Sequence, residues 1–147
     1  MKIVLNKCFG GFGVSHEGKM EYYKRAGLTA LPYVDTSRFN KPAKFERYVG
    51  QKIGMMDIIL YLKNDPGIES FKASWKEVDE KWGYHSLDFE DLRTDEAFVS
   101  VVEDLGEKAD GSFANLAVYE IPDGAEYSIH DYDGVETLYY GSSIGQI

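Results

Sequence analysis

The sequence predicts an α+β fold with a mixed or largely antiparallel sheet. Short segments rich in β-branched and aromatic residues follow one another in groups instead of alternating strictly with helices. Two other segments repeat apolar residues at steps of three and four, which is typical of amphipathic helices. These patterns give about seven strands and three helices. The length of 147 residues predicts one domain over residues 1–147.

The N-terminal part predicts a strand followed by a helix. Residues 2–8 alternate in polarity, and a glycine cluster ends this strand. Ser15 can cap a helix that runs to about Ala26, because its hydroxyl can accept a free amide of the first turn. Gly27 suits the position after the helix. We expect the first strand to lie beside the C-terminal strands, which would otherwise leave an edge exposed.

The middle of the chain predicts strands over residues 31–35, 45–49 and 57–63. Asp65 and Pro66 then suit the cap and first position of a helix, which Gly83 ends. The apolar stripe of this predicted helix consists of Ile68, Phe71, Trp75, Val78 and Trp82.

The C-terminal half predicts a helix and then a meander. Thr94 suits the helix cap and Gly111 its end. The inner face of this helix consists of Phe98, Val101, Val102, Leu105 and Ala109. Strands over 114–121, 126–131 and 135–140 are separated by Pro-Asp-Gly and Tyr-Asp-Gly turns, so we expect a three-stranded antiparallel meander.

Composition excludes several classes of protein. The net charge is −9, with 10 Lys and Arg against 4 Asp and Glu in residues 1–52, but 3 against 18 in residues 77–147. This balance argues against generic nucleic-acid binding, which needs a dominant basic surface. One cysteine excludes an internal disulfide framework. The apolar runs are too short to span a bilayer, and the N-terminus lacks a signal-peptide pattern, so we expect an intracellular protein without a membrane partner.

The glycine cluster is the first candidate site. It lies between a predicted strand and a helix N-terminus, where successive amides can hold an anion. The candidate ligand-binding residues are Gly10, Gly11, Gly13, Ser15 and His16. His16 occupies the place of the third glycine in a dinucleotide fingerprint, and no phosphate-loop Gly-Lys-Ser/Thr follows. Tight turns and close packing of Phe9 and Phe12 are the alternative role for these glycines.

Catalytic and metal sites are not favoured by the pattern. Cys8 and His16 flank the glycine cluster, but no acid that would orient the imidazole is identifiable. The three histidines have no close metal-ligand spacing, and His130 begins a segment that resembles a calcium loop with its glycine in the wrong place. We therefore predict no catalytic residue, no metal and no cofactor.

An acidic surface that carries tyrosines is the second candidate site. Tyr and Trp are common anchors at interfaces, and acids steer a basic partner. The candidate partner-binding residues are Glu103, Asp104, Glu107, Tyr139 and Tyr140. A solvated helix face and ordinary strand packing are the alternative roles of these residues.

Several strings resemble a family of small, uncharacterised proteins of bacteriophages and prophages. The resemblance rests on residues 2–15 (KIVLNKCFGGFGVS), 93–95, 101–109, 120–124 and 131–134. It covers residues 35–91 poorly, which indicates a family-variable middle segment. The resemblance implies a phage accessory protein in the bacterial host cytoplasm, without an activity to transfer.

We therefore expect a binding protein rather than an enzyme, which engages a host protein, such as a defence protein, that has a basic surface. One alternative is a nucleotide or small signalling-molecule binder, with an enzyme included in this class, that uses the glycine cluster. Another is a virion or assembly component. The sequence does not determine the oligomeric state.

Overall fold

The α+β class is confirmed by a computed structural model, which describes residues 1–38, 41–141 and 145–146. Within these residues the chain forms three α-helices and nine strands, and the paired strands are antiparallel. The helices are α1 (His16–Arg25), α2 (Trp75–Lys81) and α3 (Glu96–Leu105). The strands are β1 (Lys2–Asn6), β2 (Leu31–Asp35), β3 (Ala43–Arg47), β4 (Ile58–Leu62), β5 (Ser70–Ala73), β6 (Leu116–Glu120), β7 (Tyr127–Tyr132), β8 (Val135–Tyr140) and β9 (Gly145–Gln146).

The chain groups into two compact units. The terminal unit comprises Met1–Ala26 and Asp88–Ile147, and the central unit comprises Gly27–Leu87. Most of the segment that the resemblance covers poorly, residues 35–91, lies in the central unit. That residues 1–147 form one domain stays a prediction.

The terminal unit pairs its strands in two sheets. β1 pairs with β6 from Lys2 opposite Glu120 to Asn6 opposite Leu116, so the first strand lies beside a C-terminal strand as predicted. The three predicted C-terminal strands form, and β7 and β8 make a hairpin. Their order differs from a consecutive meander, because β6 pairs with β1 and the third strand beside the hairpin is β9.

A buried ion pair connects β8 to the segment before α3. The guanidinium of Arg93 donates to both carboxylate oxygens of Glu136, at 2.8 and 2.5 Å, and to the carbonyl of Val4. The backbone amide of Asn6 also donates to Glu136, at 2.7 Å. Glu136 is only 2% exposed, so the fold depends on these donors to satisfy a buried carboxylate.

The central unit is a four-stranded sheet with the order β4-β2-β3-β5. The predicted helix from Pro66 to Trp82 is wrong, because β5 occupies Ser70–Ala73 and only Trp75–Lys81 is helical. Asp65 instead accepts the Gly67 amide in a turn. Phe71 stacks on Phe45 of β3, with ring centroids 5.2 Å apart. Four residues of the stripe therefore pack in one core although they come from a strand, a helix and the helix end, whereas Ile68 is exposed before β5.

Local caps determine where the other helices begin. Ser15 caps α1 as predicted, since its hydroxyl accepts the Gly18 amide at 3.0 Å. The cap of α3 is Asp95 rather than the predicted Thr94, because the Asp95 carboxylate accepts the Phe98 amide. α3 ends at Leu105, and a 3₁₀ turn over Gly106–Ala109 follows it.

Candidate ligand-binding cavity

One edge of the central sheet brings together residues that are distant in the sequence. β2 runs towards this edge and ends at Asp35, while its antiparallel neighbours β3 and β4 begin there. β5 is antiparallel to β3 and ends at the same edge, immediately before α2. The order and direction of the strands therefore place the ends of four strands around one position.

A cavity of about 580 Å³ lies at this edge. Its apolar lining comes from Pro42, Ala43, Met56, Ile58 and Trp75. Protein sites for small organic ligands are usually clefts of about 300–1,000 Å³ with mostly apolar walls. Met56 and Ile58 are exposed apolar side chains, and their exposure is explained by their place in the cavity lining. The size and lining therefore suit a small organic molecule.

Asp35 organises the wall of the cavity. One of its carboxylate oxygens accepts the backbone amide and the hydroxyl of Ser37, at 2.9 and 2.5 Å. The other accepts the indole N–H of Trp75, at 2.9 Å. Asp35 is buried, so three donors compensate for its desolvation. The bond from the indole also holds the Trp75 ring at the end of β2.

A capping box fixes the position at which α2 starts, and hence the position of Trp75. The Ser74 hydroxyl accepts the Glu77 amide at 3.1 Å. In return, the Glu77 carboxylate accepts the Ser74 amide at 3.3 Å and the Ser74 hydroxyl at 3.2 Å. Both side chains line the cavity. Because this reciprocal bonding fixes the backbone of the first turn of α2, it also fixes the position from which the Trp75 side chain extends to the cavity wall.

Two cations complete the lining, Arg38 and Lys41. Arg38 has a φ of 53° and lies beside Gly54, where a Cβ atom would be 3.2 Å from its Nη2. Its Nε lies 3.6 Å from the carboxylate of Asp57, whose other oxygen accepts the Gly54 amide at 2.7 Å. Glycine at position 54 thus leaves room for the guanidinium beside the cavity.

The predicted glycine-loop residues lie in the terminal unit, where their polar groups bond to other parts of the chain. Gly10 donates to the carbonyl of Asp133, and the carbonyl of Gly13 accepts the Gly111 amide. The Ser15 hydroxyl donates to the carbonyl of Lys108 while it caps α1. Gly11 has a φ of 133°. Much of the hydrogen-bonding capacity expected to hold an anion is therefore used within the protein.

His16 follows this loop at the start of α1. Burial lowers its pKa below 6.5, and the positive charge of Lys19 lowers it further. The neutral imidazole is thus the form that the fold favours. A neutral ring adds no positive charge for an anion at this helix terminus.

The predicted acidic surface also lies in the terminal unit. Glu103 pairs with Lys2 at 2.9 Å, and Asp104 pairs with Arg25 at 2.7 Å. Lys2 and Arg25 belong to the basic first third of the chain, so intramolecular ion pairs engage two of the three predicted acids. Glu107 is exposed in the 3₁₀ turn after α3.

The two predicted tyrosines lie on β8. The ring of Tyr139 meets that of His130 edge to face, with centroids 4.8 Å apart, and Tyr140 packs against the core of the terminal unit. Both are partly buried. Their role as partner-binding residues stays a prediction, as does that of the three acids.

Comparison of the chain with protein-family models, with curated proteins and with solved structures finds no match. The resemblance to phage proteins therefore stays a prediction. Among the described residues, no three His, Cys, Asp or Glu side chains group as metal ligands do. No helix in the described part of the chain is long and apolar enough to cross a bilayer.

Sequence reasoning missed the cavity because its residues carry no motif. A local signal was present for the capping box, since Ser74 and Glu77 have the Ser-x-x-Glu spacing. The helical spacing of the surrounding apolar residues concealed it. Asp35 and Trp75 are 40 positions apart, and only the antiparallel order of the strands brings them together.

Proposed function

We propose that this protein binds a small organic molecule in the cavity of its central unit. The proposal rests on one observation, a cavity of about 580 Å³ whose apolar wall includes a tryptophan held by a buried carboxylate. A wall held in one conformation lowers the entropic cost of binding. The sequence also predicts small-molecule binding as an alternative function, but at the glycine cluster. The ligand proposed here occupies the central unit instead.

Titration of ¹⁵N-labelled protein with naphthalenemethanol, a neutral aromatic alcohol, tests the proposal. The protein has two tryptophans, and we expect a separate indole N–H signal from each in NMR. Trp75 lines the cavity, whereas Trp82 packs against Phe71 in the core of the central unit. We expect saturable binding that shifts the Trp75 signal and leaves the Trp82 signal in place.

Adjacent methionines provide a matched pair of variants. Met56 lines the cavity, while Met55 is 92% exposed and lies outside it. We expect Met56→Asp to weaken binding of the alcohol at least about tenfold, because a charge replaces an apolar contact. Met55→Asp should have no effect. Equal effects of the two variants would refute the assignment of binding to this cavity.

Exposed aromatic side chains in the terminal unit favour a second candidate, stoichiometric binding of a host protein with a basic surface. Phe9, Phe113 and Tyr132 are 63%, 67% and 77% exposed, and the rings of Phe9 and Tyr132 lie 6.5 Å apart. Asp131 and Asp133 flank Tyr132 in the sequence and are exposed. Exposed aromatic groups of this kind often anchor interfaces. Action in the bacterial cytoplasm is part of this candidate and rests on the resemblance.

Affinity capture from a bacterial lysate, followed by mass spectrometry, tests this candidate. A specific partner should be captured by the wild type and lost with Tyr132→Ser. Met55→Ser is the control, since it removes an exposed apolar side chain from the central unit. Glu107→Lys tests the acidic surface separately. Equal capture by wild type and Tyr132→Ser would contradict the aromatic anchor.

A further inference from the structure

The charged groups around the cavity differ in how many hydrogen bonds and ion pairs they already form within the protein. Two carboxylates and two cations line it. The charge that a ligand meets depends on which of these groups still has free hydrogen-bonding capacity, because a satisfied ion gains less from a new partner.

Both carboxylates are engaged. Asp35 accepts three hydrogen bonds, from Ser37 and Trp75, and both of its oxygens take part. The Glu77 carboxylate accepts two hydrogen bonds in the capping box, both at Oε1. A cationic ligand at Asp35 or at Glu77 Oε1 would have to compete with donors that also hold the cavity wall and the start of α2 in place.

Both cations retain donors. Arg38 is 68% exposed at its side chain, and its one ion pair in the described residues is the 3.6 Å approach to Asp57, which is longer than a hydrogen bond. Among the residues that the structure describes, none forms an ion pair with Lys41. The protein as a whole carries a net charge of −9, so this pair of available cations is contrary to its general charge.

We propose that the ligand of this cavity is a small organic anion, with an apolar body against Met56 and Trp75 and a carboxylate, sulfonate or phosphate group at Arg38 and Lys41. The inference rests on the proposed function and adds the charge of the ligand to it. The apolar body supplies hydrophobic contact, and the anionic group supplies charge-assisted hydrogen bonds.

Naphthoate and naphthalenemethanol are matched probes, because they share a ring system and differ in a carboxylate against a neutral alcohol. We expect naphthoate to bind the 147-residue chain about tenfold more tightly than the alcohol, as measured by the shift of the Trp75 indole signal. Added salt should weaken the binding of naphthoate and leave that of the alcohol nearly unchanged.

Lysine variants locate the anionic group. Lys41→Gln should remove most of the preference for naphthoate without changing the affinity for the alcohol. Lys44→Gln is the control, because Lys44 is an exposed lysine of β3 that does not line the cavity. If Lys44→Gln has the same effect as Lys41→Gln, diffuse charge explains the preference and the proposed contact is overturned.

The outcomes separate the two proposals. Equal affinity for both probes, with the Trp75 signal still shifted, would overturn the anionic ligand and leave the cavity as a binding site. Failure of both probes to shift Trp75 would overturn the proposed function as well.

Discussion

Replacement of Glu136 by glutamine tests whether the buried ion pair supports the terminal unit. The carboxylate accepts two hydrogen bonds from Arg93 and one from the Asn6 amide. Glutamine keeps the volume but loses the charge and turns an N–H₂ group towards these donors. The guanidinium then stays buried without its counter-ion, because the Arg93 side chain is only 12% exposed.

The expected cost is large relative to the stability of a small protein. Breaking a buried ion pair by removing one partner costs about 3–5 kcal/mol. Typical free energies of unfolding are about 5–15 kcal/mol. At this chain length about 1 kcal/mol corresponds to about 2–4 °C in Tm. We therefore expect Glu136→Gln to lower the Tm by about 10 °C.

Thermal unfolding followed by far-UV circular dichroism measures this effect. Tryptophan fluorescence is unsuitable, because Trp75 and Trp82 both lie in the central unit. Glu103→Gln is the matched control, since Glu103 forms an exposed ion pair with Lys2. We expect it to leave the Tm nearly unchanged. Shifts for the two variants that agree within about 2 °C would refute the assignment of a supporting role to Glu136.

Three further predictions concern backbone, cap and pH. Gly134 has a φ of 95°, and a Cβ atom there would lie 2.4 Å from the amide nitrogen of Gly11. Gly134→Ala should therefore lower the free energy of unfolding, measured in urea, by at least about 3 kcal/mol. Gly124→Ala, with φ 75° and open space around it, should cost only about 1 kcal/mol, and equal costs would contradict the role of the close contact. Ser74→Ala should lower the free energy of unfolding by about 1 kcal/mol through loss of the α2 cap, and an unchanged urea midpoint would argue against the capping box. Burial lowers the pKa of His16 below 6.5, so the unfolded chain binds a proton at a higher pH than the folded chain does, and the stability falls as the pH drops through about 6.5. His16→Gln should therefore lose less stability than wild type between about pH 7.5 and 5.5. Parallel pH profiles of stability for the two proteins would contradict this.

The local parts of the fold could be predicted because their signals are local. Ser15 caps α1, and the strand over residues 31–35 has the predicted bounds. The predicted helix from Pro66 failed because periodicity does not distinguish a helix from a turn, a strand and a short helix that share one core. Phe71 satisfied the helical spacing, yet its ring stacks on Phe45 of another strand.

The partners of the candidate site residues could not be predicted from the sequence. The glycine cluster between a strand and a helix predicts an anion site, whereas in the structure Gly10 and Gly13 bond to distant parts of the chain. The charge pattern predicts a surface role for the acids at positions 103 and 104, which in the structure form ion pairs with Lys2 and Arg25. In each case the partner is a residue that charge counts and spacing do not identify.

The sequence by itself determined the α+β class, the first helix and the C-terminal hairpin turn, because capping, alternation and turn chemistry act over a few residues. Tertiary structure decided that β1 pairs with β6, that Glu136 is buried against Arg93, and that Asp35 holds Trp75 beside a cavity. These contacts join residues 40 or more positions apart. Such contacts depend on the order and direction of the strands, because only packing of the whole chain compensates for the entropy lost in closing long loops.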